Sequence, residues 1–312
     1  MNYLEAQRQK AVALRDKIFK DPGGGIFKQT EREYVLLEPA LNIWGGVRDD
    51  AISYFNRYNI PFWDSGVEPT GHVLSSQIAC INHLYFIRQR QDIATIILQE
   101  VDKDVKCALQ MDNGVKDCGY VDFEVIGRKN YLKEKLHTRG ANSTSVDAVM
   151  LAEMNNGLKK LFFIEWKYVE QYKSQPSKAN GDSGKTRIET YRPLILAEDC
   201  PFEFKNIDGL FTEPYYQLMR QTLLANEMTK AEEYGASLYQ HLHIIPEENS
   251  DLRKVNTANG KLPGTTLHET WTGLLKNPEK YKMVDPKDFI FPAKICNDTI
   301  SWINYLEQRY WV

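Results

Sequence analysis

Hydrophobic and polar residues follow helical periods toward both ends of the chain and strand-like periods in its centre. The amphipathic pattern of residues 3–20 predicts a helix that ends at the sequence DPGGG. A helical pattern also runs from Ser75 to about Gln110, as two helices broken near 88–91. Residues 31–70 are rich in aromatic side chains but have no regular period, so we expect mostly loop there. The closing segment DTISWINYLEQRYWV predicts a final helix.

The centre of the chain carries the strand patterns. Residues 119–127 alternate like one strand, and residues 144–168 form two strand-like runs around Asn-Asn-Gly. A three-residue loop ending in glycine is a common hairpin connection, because glycine takes a left-handed backbone without steric cost. A polar loop is predicted for about 170–187, a helix for 213–235 and a strand for 238–246. The order helix, three strands, helix, strand indicates an α/β core.

The predicted hairpin determines which residues face each other. If Met154 faces Leu158, the same pairing places Asp147 directly opposite Glu165, with Cβ atoms about 4.5–5.5 Å apart. Lys167 lies two residues beyond Glu165 and therefore on the same face of the strand. Both faces of the hairpin are otherwise apolar near these residues, so three charged side chains form an isolated polar group at one end of the sheet.

The two carboxylates of this group repel each other, and burial magnifies the repulsion. A shared proton, the lysine or a divalent cation would relieve it. The ammonium group of Lys167 compensates one negative charge, whereas a hard cation bound by oxygen ligands compensates two. A buried structural cluster of Asp, Lys and Glu is the alternative, although such clusters seldom add net stability.

Asp147, a hairpin, and Glu165-Trp166-Lys167 on an apolar strand resemble the PD-(D/E)xK superfamily, the restriction-endonuclease-like nucleases. The motif of that superfamily is an acid on the second core strand and E-x-K on the third, and its core order is αβββαβ. The resemblance covers about residues 75–246. It departs from the pattern at Val146, where the superfamily motif has proline before the first acid.

The resemblance implies an α/β, restriction-endonuclease-like fold with an αβββαβ core and a mixed sheet flanked by helices. We expect a single domain over residues 1–312, with the nuclease core at about 75–246. An N-terminal extension of helix and loop would occupy about 1–74, and a helical C-terminal extension about 247–312.

The resemblance also implies a function. Asp147 and Glu165 would ligate Mg²⁺ or Mn²⁺ together with the backbone carbonyl of Trp166. Lys167 would orient or deprotonate the attacking water, or stabilise charge on the phosphate. The implied activity is metal-dependent hydrolysis of phosphodiester bonds in nucleic acid, with DNA favoured as substrate. Many members pair so that each subunit cuts one strand, which makes a homodimer one arrangement to consider. The alternative is an inactive protein that keeps the fold and binds nucleic acid or a protein partner.

Members of the superfamily often have a further acid on the first core helix, and Glu100 is the candidate here. It follows Ile96 and Ile97 at helical spacing on an apolar face. Glu100 at the mere edge of that face is the structural alternative. Glu124, on the first predicted strand, is a rival for the same role.

The predicted helix after the hairpin carries Gln217, Arg220 and Gln221 at spacings of three and four. It resembles a glutamine-bearing helix that faces the metal site in one branch of the superfamily. A solvated polar face is the alternative. His72 and Gln77 stand at the start of another predicted helix, where capping by Ser75 or Ser76 explains the serines and the other two side chains remain candidates for the site.

The predicted loop after the hairpin has a local excess of basic residues, among which Lys185 and Arg187 are candidates for phosphate contacts. A plain surface loop is an equal alternative. The stretch ANGDSGKT at 179–186 also matches a loose phosphate-loop pattern. A true phosphate loop follows a buried strand, whereas the residues before this one are polar and include proline, so nucleotide binding is a minor alternative.

Composition narrows the function classes. The net charge of −3 gives no global basic field, so a nucleic-acid partner must be held locally. Five scattered cysteines without CxxC spacing favour a reducing, cytoplasmic setting over disulfides or a zinc site. No apolar run is long enough for a membrane helix, so no membrane partner is expected. His241 and His243 share a strand face, but two histidines without a third ligand make a weak zinc argument.

Overall fold

The computed structural model describes residues 1–63, 66–112, 117–139, 143–172, 175–203, 207–254 and 262–311. The helices are α1 (Tyr3–Leu14), α2 (Arg48–Arg57), α3 (Ser76–Leu84), α4 (Gln91–Val101), α5 (Gly181–Leu196), α6 (Ile207–Leu210), α7 (Tyr215–Lys230), α8 (Ser250–Arg253), α9 (Leu267–Leu274), α10 (Pro286–Ile290) and α11 (Ile300–Arg309). The strands are β1 (Gly25–Phe27), β2 (Thr30–Arg32), β3 (Val105–Leu109), β4 (Asp122–Val125), β5 (Val146–Met154), β6 (Lys159–Trp166), β7 (Leu238–Ile244) and β8 (Tyr281–Val284).

The described strands form one mixed sheet and a separate hairpin. The sheet has the order β3-β5-β6-β7-β8, and β4 also pairs with β5. The pairs of β5 with β3, β4 and β6 are antiparallel, whereas β6 and β7, and β7 and β8, run parallel. Strands β1 and β2 make the hairpin apart from it. The mixed sheet flanked by helices that the resemblance implies is therefore confirmed.

Helices cover both faces of the sheet because both faces of β5 and β6 are apolar. On one face, Met150, Phe162 and Trp166 pack against α1 to α4 and the C-terminal helices. On the other face, Leu151 and Phe163 pack against α5 to α9. A strand buried on both sides reads as a nearly continuous hydrophobic run, and this explains the sequence of β6.

The hairpin of β5 and β6 has the register that the sequence predicts. The N–H of Met154 donates to the carbonyl of Leu158 over 2.8 Å, and Gly157 between them has a φ of +81°. The paired residues continue in this register as far as Ala148 opposite Ile164. The next positions on the two strands are Asp147 and Glu165.

Three expectations about secondary structure are wrong. Residues 31–70 include α2, whose buried Ala51, Tyr54 and Phe55 follow helical spacing. The second helical run ends at Val101, because Val105–Leu109 pairs with β5 as strand β3. The predicted polar loop contains most of the first two turns of α5, a largely exposed helix whose buried residues are few, so its hydrophobic period is weak.

The other elements that the sequence predicts agree with the structure, whereas β1, β2, β8, α6 and α8 to α10 were not predicted. Helix α3 begins after Ser75, whose side chain accepts the N–H of Ile78 as an N-cap. Helix α7 begins after Pro214, and β7 and α11 lie within the predicted segments. No helix within the described ranges combines the length and the apolar character that a bilayer span requires.

Candidate active site

Asp147 and Glu165 lie where β5 and β6 open into a cleft of about 750 Å³. The floor of the cleft also includes Glu124, Ser145 and Lys167. Because β4, β5 and β6 are neighbours in the sheet, their ends bring these polar groups together. The predicted meeting of Asp147, Glu165 and Lys167 at one end of the hairpin is thus what the structure contains.

Glu165 is the centre of the hydrogen bonds in this cluster. Its side chain is only 2% exposed, and Oε1 accepts from Lys167 Nζ over 2.6 Å and from Gln217 Nε2 over 2.7 Å. Oε2 accepts from Gln221 Nε2, whose amide also donates to the carbonyl of Ser145 over 3.1 Å. Both glutamines come from α7, so this helix holds the carboxylate in place.

Lys167 is buried and makes two strong contacts. Nζ donates to Glu165 and also to Gln217 Oε1 over 2.7 Å, and the backbone N–H donates to Ile244 on β7. Burial is the largest single effect and disfavours the charged ammonium, but Glu165 together with Tyr172, Glu170 and Asp147 outweighs it, so the pKa of Lys167 lies well above its usual value. Lys167 is therefore a fixed positive charge in the cleft.

Asp147 has a different environment. Its Oδ2 accepts the backbone N–H of Trp166 over 2.7 Å, which ties the ends of β5 and β6 together. Burial raises the pKa of Asp147 well above its usual value, and the carboxylates of Glu165 and Glu124 raise it further. This carboxyl group is therefore destabilised as an anion unless additional positive charge is present.

Glu124 is the third acid of the cleft. On β4, Phe123 and Val125 pair with Ala148 and Val146, so Glu124 stands at the level of Asp147. Glu124 has a φ of +48°, a left-handed conformation that is costly for a residue with a side chain. Burial raises its pKa, although hydrogen bonds from Gln77 Nε2 at 2.9 Å and Ser145 Oγ at 3.0 Å oppose the increase.

Several predicted supporting residues join the cleft. Gln77, Gln217 and Gln221 contact its carboxylates directly. His72 lines the cleft and packs its ring against Phe27 with centroids 4.6 Å apart. The candidate for the backbone ligand, the carbonyl of Trp166, belongs to the residue between the two charged side chains.

Other predicted residues lie elsewhere. Glu100 is exposed on α4, where it pairs with Lys103 and borders a groove beside His268, so the structure does not bring it to the cleft. The helical face to which it belongs buries Ile97 and leaves Glu100 outside. The acid on the first core helix is therefore corrected to the rival position on β4, Glu124.

Arg220 and the two basic residues of α5 are also outside the cleft. The guanidinium of Arg220 donates to Thr144 Oγ1 over 2.8 Å and to Glu134 Oε1 over 3.2 Å, so it braces the segment before β5 instead of facing Glu165. Lys185 pairs with Asp182, three residues earlier on the exposed side of α5. Arg187 Nη1 donates to the carbonyl of Lys178 over 3.1 Å.

The alternatives gain little from the structure. A phosphate loop requires a strand before it, but the described residues before the stretch 179–186 form a turn. His241 and His243 are buried and bond through Nδ1 to Thr222 at 3.3 Å and to Tyr281 at 3.0 Å. Both histidines thus have structural partners.

The donor set of the cleft fits a hard divalent cation. Of the four described acids that line the cleft, Glu124, Asp147 and Glu165 lie close enough to act on one another, the pKa values of Glu124 and Asp147 are raised, and the positive charge of Lys167 compensates only one negative charge. Carboxylate and carbonyl oxygens are the ligands that Mg²⁺ and Mn²⁺ prefer. Within the described part of the chain, no group of three or more acidic, histidine or cysteine side chains is placed so that it could hold a metal ion. Asp147 and Glu165 are the two acids of the cleft that could supply ligands, and the Trp166 carbonyl stays a prediction.

Two parts of the cleft were missed in the sequence. Ser145 immediately precedes β5 and fixes Glu124, yet a lone serine carries no signal of that contact. Phe27 and Trp63 line another part of the cleft and contact each other. Their aromatic character is visible in the sequence, but their meeting depends on a loop packing that has no periodic pattern.

One family model matches nearly the whole chain. The model described as Restriction Endonuclease associating with ARP covers residues 6–311. A comparison with curated proteins and a comparison with solved structures found no match. The matched range includes every residue of the cleft described above.

Proposed function

Because the chain belongs to the family described as Restriction Endonuclease associating with ARP, we propose that it is a metal-dependent nuclease that hydrolyses phosphodiester bonds, with DNA as the favoured substrate. The observation that carries the proposal is the convergence of Asp147, Glu165 and Lys167 in one cleft, with the hydrogen bonds of α7 fixing two of them. A merely structural ion pair would not need a second and a third acid beside it.

The side chains of the cleft have distinct roles in this proposal. Asp147 and Glu165, with the carbonyl of Trp166, hold the cation, and Glu124 adds negative charge beside them. When bound, Mg²⁺ or Mn²⁺ would activate water and offset the charge of the phosphate. The cation would also remove the repulsion that the apposed carboxylates otherwise cause.

Lys167 and the glutamines orient the reaction. The ammonium group of Lys167 lies beside the cation ligand and is a donor toward an attacking water or a phosphate oxygen, where negative charge develops in the transition state. Gln217 bridges Lys167 and Glu165 through both ends of its amide. Gln221 holds the other oxygen of Glu165. These contacts fix the direction of the carboxylate before substrate arrives.

The test is a nicking assay on supercoiled DNA with Mg²⁺ or Mn²⁺, repeated in excess chelator. We expect cleavage that requires the cation and disappears in Lys167→Met. Cleavage that survives unchanged in Lys167→Met would overturn the assignment of this cleft. A folded wild-type protein that binds nucleic acid but never cleaves it would favour the alternative, an inactive binding protein with the same fold.

A further inference from the structure

An aromatic wall lines part of the cleft that contains the carboxylates. We use this name for Phe27, Trp63 and His72. The ring centroids of Phe27 lie 5.4 Å from Trp63 and 4.6 Å from His72, and those of Trp63 and His72 are 5.9 Å apart. All three side chains line the same cleft as Asp147 and Glu165. A molecule bound in this cleft can therefore contact both the wall and the acids.

The hairpin of β1 and β2 carries part of this wall at a conformational cost. Phe27 is the last residue of β1, and the two-residue turn after it consists of Lys28 and Gln29, with φ values of +49° and +62°. Turns of this kind usually contain Asn or Gly, because both residues need a left-handed backbone. Strained backbone of this sort is concentrated at binding sites, where the surrounding structure maintains it.

The side chains of the aromatic wall are more exposed to solvent than is usual for large aromatic rings. Trp63 is 45% exposed although it is the largest side-chain type, and Phe27 is partly exposed. Lys28 Nζ lies 5.2 Å from the ring centroid of Phe27 and also borders the cleft. Flat apolar surface with a cation at its edge suits a nucleotide, which has a planar base and an adjoining phosphate.

The charges of the cleft favour stacking over a track of phosphate contacts. Among the described residues, Glu124, Asp147, Glu165 and Glu170 line the cleft together with two lysines, Lys28 and Lys167. The basic residues expected to contact phosphates, on α5, do not line it. Rings can bind any base, because every base has a π-face. In a fully paired duplex both faces of each base are already covered by neighbours, so a wall of this kind needs a base that has left the stack.

We propose that the aromatic wall stacks an unpaired nucleobase next to the phosphate that lies over the carboxylates. The substrate is then single-stranded nucleic acid, or duplex with a locally unpaired base. The position of the phosphate rests on the proposed nuclease function, whereas the stacking itself requires no cleavage and is measured separately.

The experiment uses the full chain with Lys167→Met, so that the probe stays intact. Fluorescence anisotropy of a labelled oligodeoxynucleotide gives the Kd for three probes: the single strand, its perfect duplex, and the duplex with one mismatch. We expect tighter binding of the single strand or the mismatched duplex than of the perfect duplex. Adding Trp63→Leu should weaken that binding by about 10-fold, since stacking on one ring contributes roughly 1–3 kcal/mol per base.

A matched control is available at Phe291, which does not line the cleft. Phe291 is 42% exposed and has Lys294 Nζ 5.0 Å from its ring centroid, much like Phe27 with Lys28. Phe291→Leu should leave the Kd unchanged, and Phe27→Leu should raise it. Phe27→Leu also serves in case Trp63→Leu fails to fold, which circular dichroism will reveal.

The outcomes separate the two proposals. Equal Kd values for all three probes, or no effect of either wall variant on binding, would overturn the stacking proposal even if the wild type cleaves DNA. Wall-dependent binding of an unpaired base by a wild type that never cleaves would support stacking and overturn the nuclease function. Preference for the mismatched duplex over the single strand would identify a flipped base as the ligand.

Discussion

The Nζ atom of Lys167 lies 2.6 Å from Oε1 of Glu165, and both side chains are buried at the end of β6. The two residues share a face because side chains alternate along a strand. The lysine neutralises Glu165, but Asp147 on the neighbouring strand keeps an excess of negative charge in the same place. The Lys167–Glu165 pair therefore leaves the negative charge of Asp147 uncompensated, and a bound cation would compensate it.

Lys167→Met keeps an unbranched side chain of similar length and removes the charge. We expect cleavage to fall by about 100-fold or more, the scale reported for lost electrostatic stabilisation of a transition state. The fold should persist, because Gln217 and Gln221 still donate to Glu165. Single-turnover cleavage and circular dichroism measure the two effects.

Lys159→Ala provides the control for that substitution. Lys159 is exposed at the other end of β6, far from the cleft in the strand. Its removal should leave the rate of cleavage unchanged. If both lysine variants lose the same fraction of activity, Lys167 has no special role.

Asp147→Asn removes a charge but can keep its bond, because the amide oxygen still accepts from Trp166. The raised pKa of Asp147 means that its ionised form is unfavourable in the folded wild type. In the presence of chelator, the variant should therefore have a free energy of unfolding equal to or higher than that of the wild type. We expect Mn²⁺ to raise the Tm of the wild type through preferential binding to the folded state, and we expect Asp147→Asn to lose this rise. Asp182→Asn, at an exposed position on α5, should retain it. An undiminished Mn²⁺ response of Asp147→Asn would remove this residue from the ligand set.

Glu124→Gln and Glu100→Gln distinguish the two candidates for the third acid. Glu124 lies in the cleft and Glu100 outside it, so we expect about 10-fold weaker Mn²⁺ binding for the first and no change for the second. Isothermal calorimetry provides the affinities. The opposite ranking would restore the helix position.

The part of the site that the sequence predicts is the part that local rules determine. The turn at Gly157 and the alternation of β5 and β6 set a register, and the register determines that Asp147 meets Glu165. Gln217 and Gln221 follow from helical spacing once α7 begins. These inferences need only neighbours within one hairpin or one helix.

The parts of the site that the sequence leaves open or misses depend on contacts that no local pattern encodes. Glu124 reaches the cleft because β4 pairs with β5. The glycines around β4 indicate where this strand ends but not which strand it pairs with. Glu100 follows the helical spacing of the apolar residues of α4, but its side chain is exposed and does not reach the cleft. Helix α5 was missed because it is mostly exposed, so polar residues obscure its period. Phe27 and Trp63 meet across a stretch of chain that has no periodic signal.

His83 should make stability depend on pH. Its Nδ1 bonds to the carbonyl of Ala79 over 2.7 Å, and its Nε2 accepts from Trp311 Nε1 over 3.1 Å, an arrangement that fits the neutral ring. Burial lowers its pKa to about 3. The unfolded chain binds this proton near pH 6.5 and the folded chain does not, so the contribution to stability is present above pH 6.5 and is lost as pH falls toward 3.

The expected size of this effect between pH 7 and pH 5 is about 2 kcal/mol of unfolding free energy. Asp147 and Glu124 act in the opposite direction, because their pKa values are raised and the folded state holds their protons more tightly. The effect of His83 is therefore measured by comparing the pH dependence of stability between the wild type and single variants. His83→Gln should reduce the loss of stability on acidification in urea titrations, whereas His268→Gln, at an exposed position, should not. Parallel pH profiles for wild type and His83→Gln would contradict the assignment.

Gln29→Gly tests the strain in the turn that carries the aromatic wall. Gln29 has a φ of +62°, and a left-handed backbone costs a residue with a side chain about 1–2 kcal/mol. Glycine removes that cost but gains freedom in the unfolded chain, so we expect a net stabilisation of about 0.5–1 kcal/mol in urea unfolding. Gln308→Gly, at an exposed position of α11, should instead destabilise by about 1 kcal/mol, because glycine is a poor helix former. If both substitutions destabilise equally, the turn is not strained, and the hairpin does not hold Phe27 in the cleft against a conformational cost.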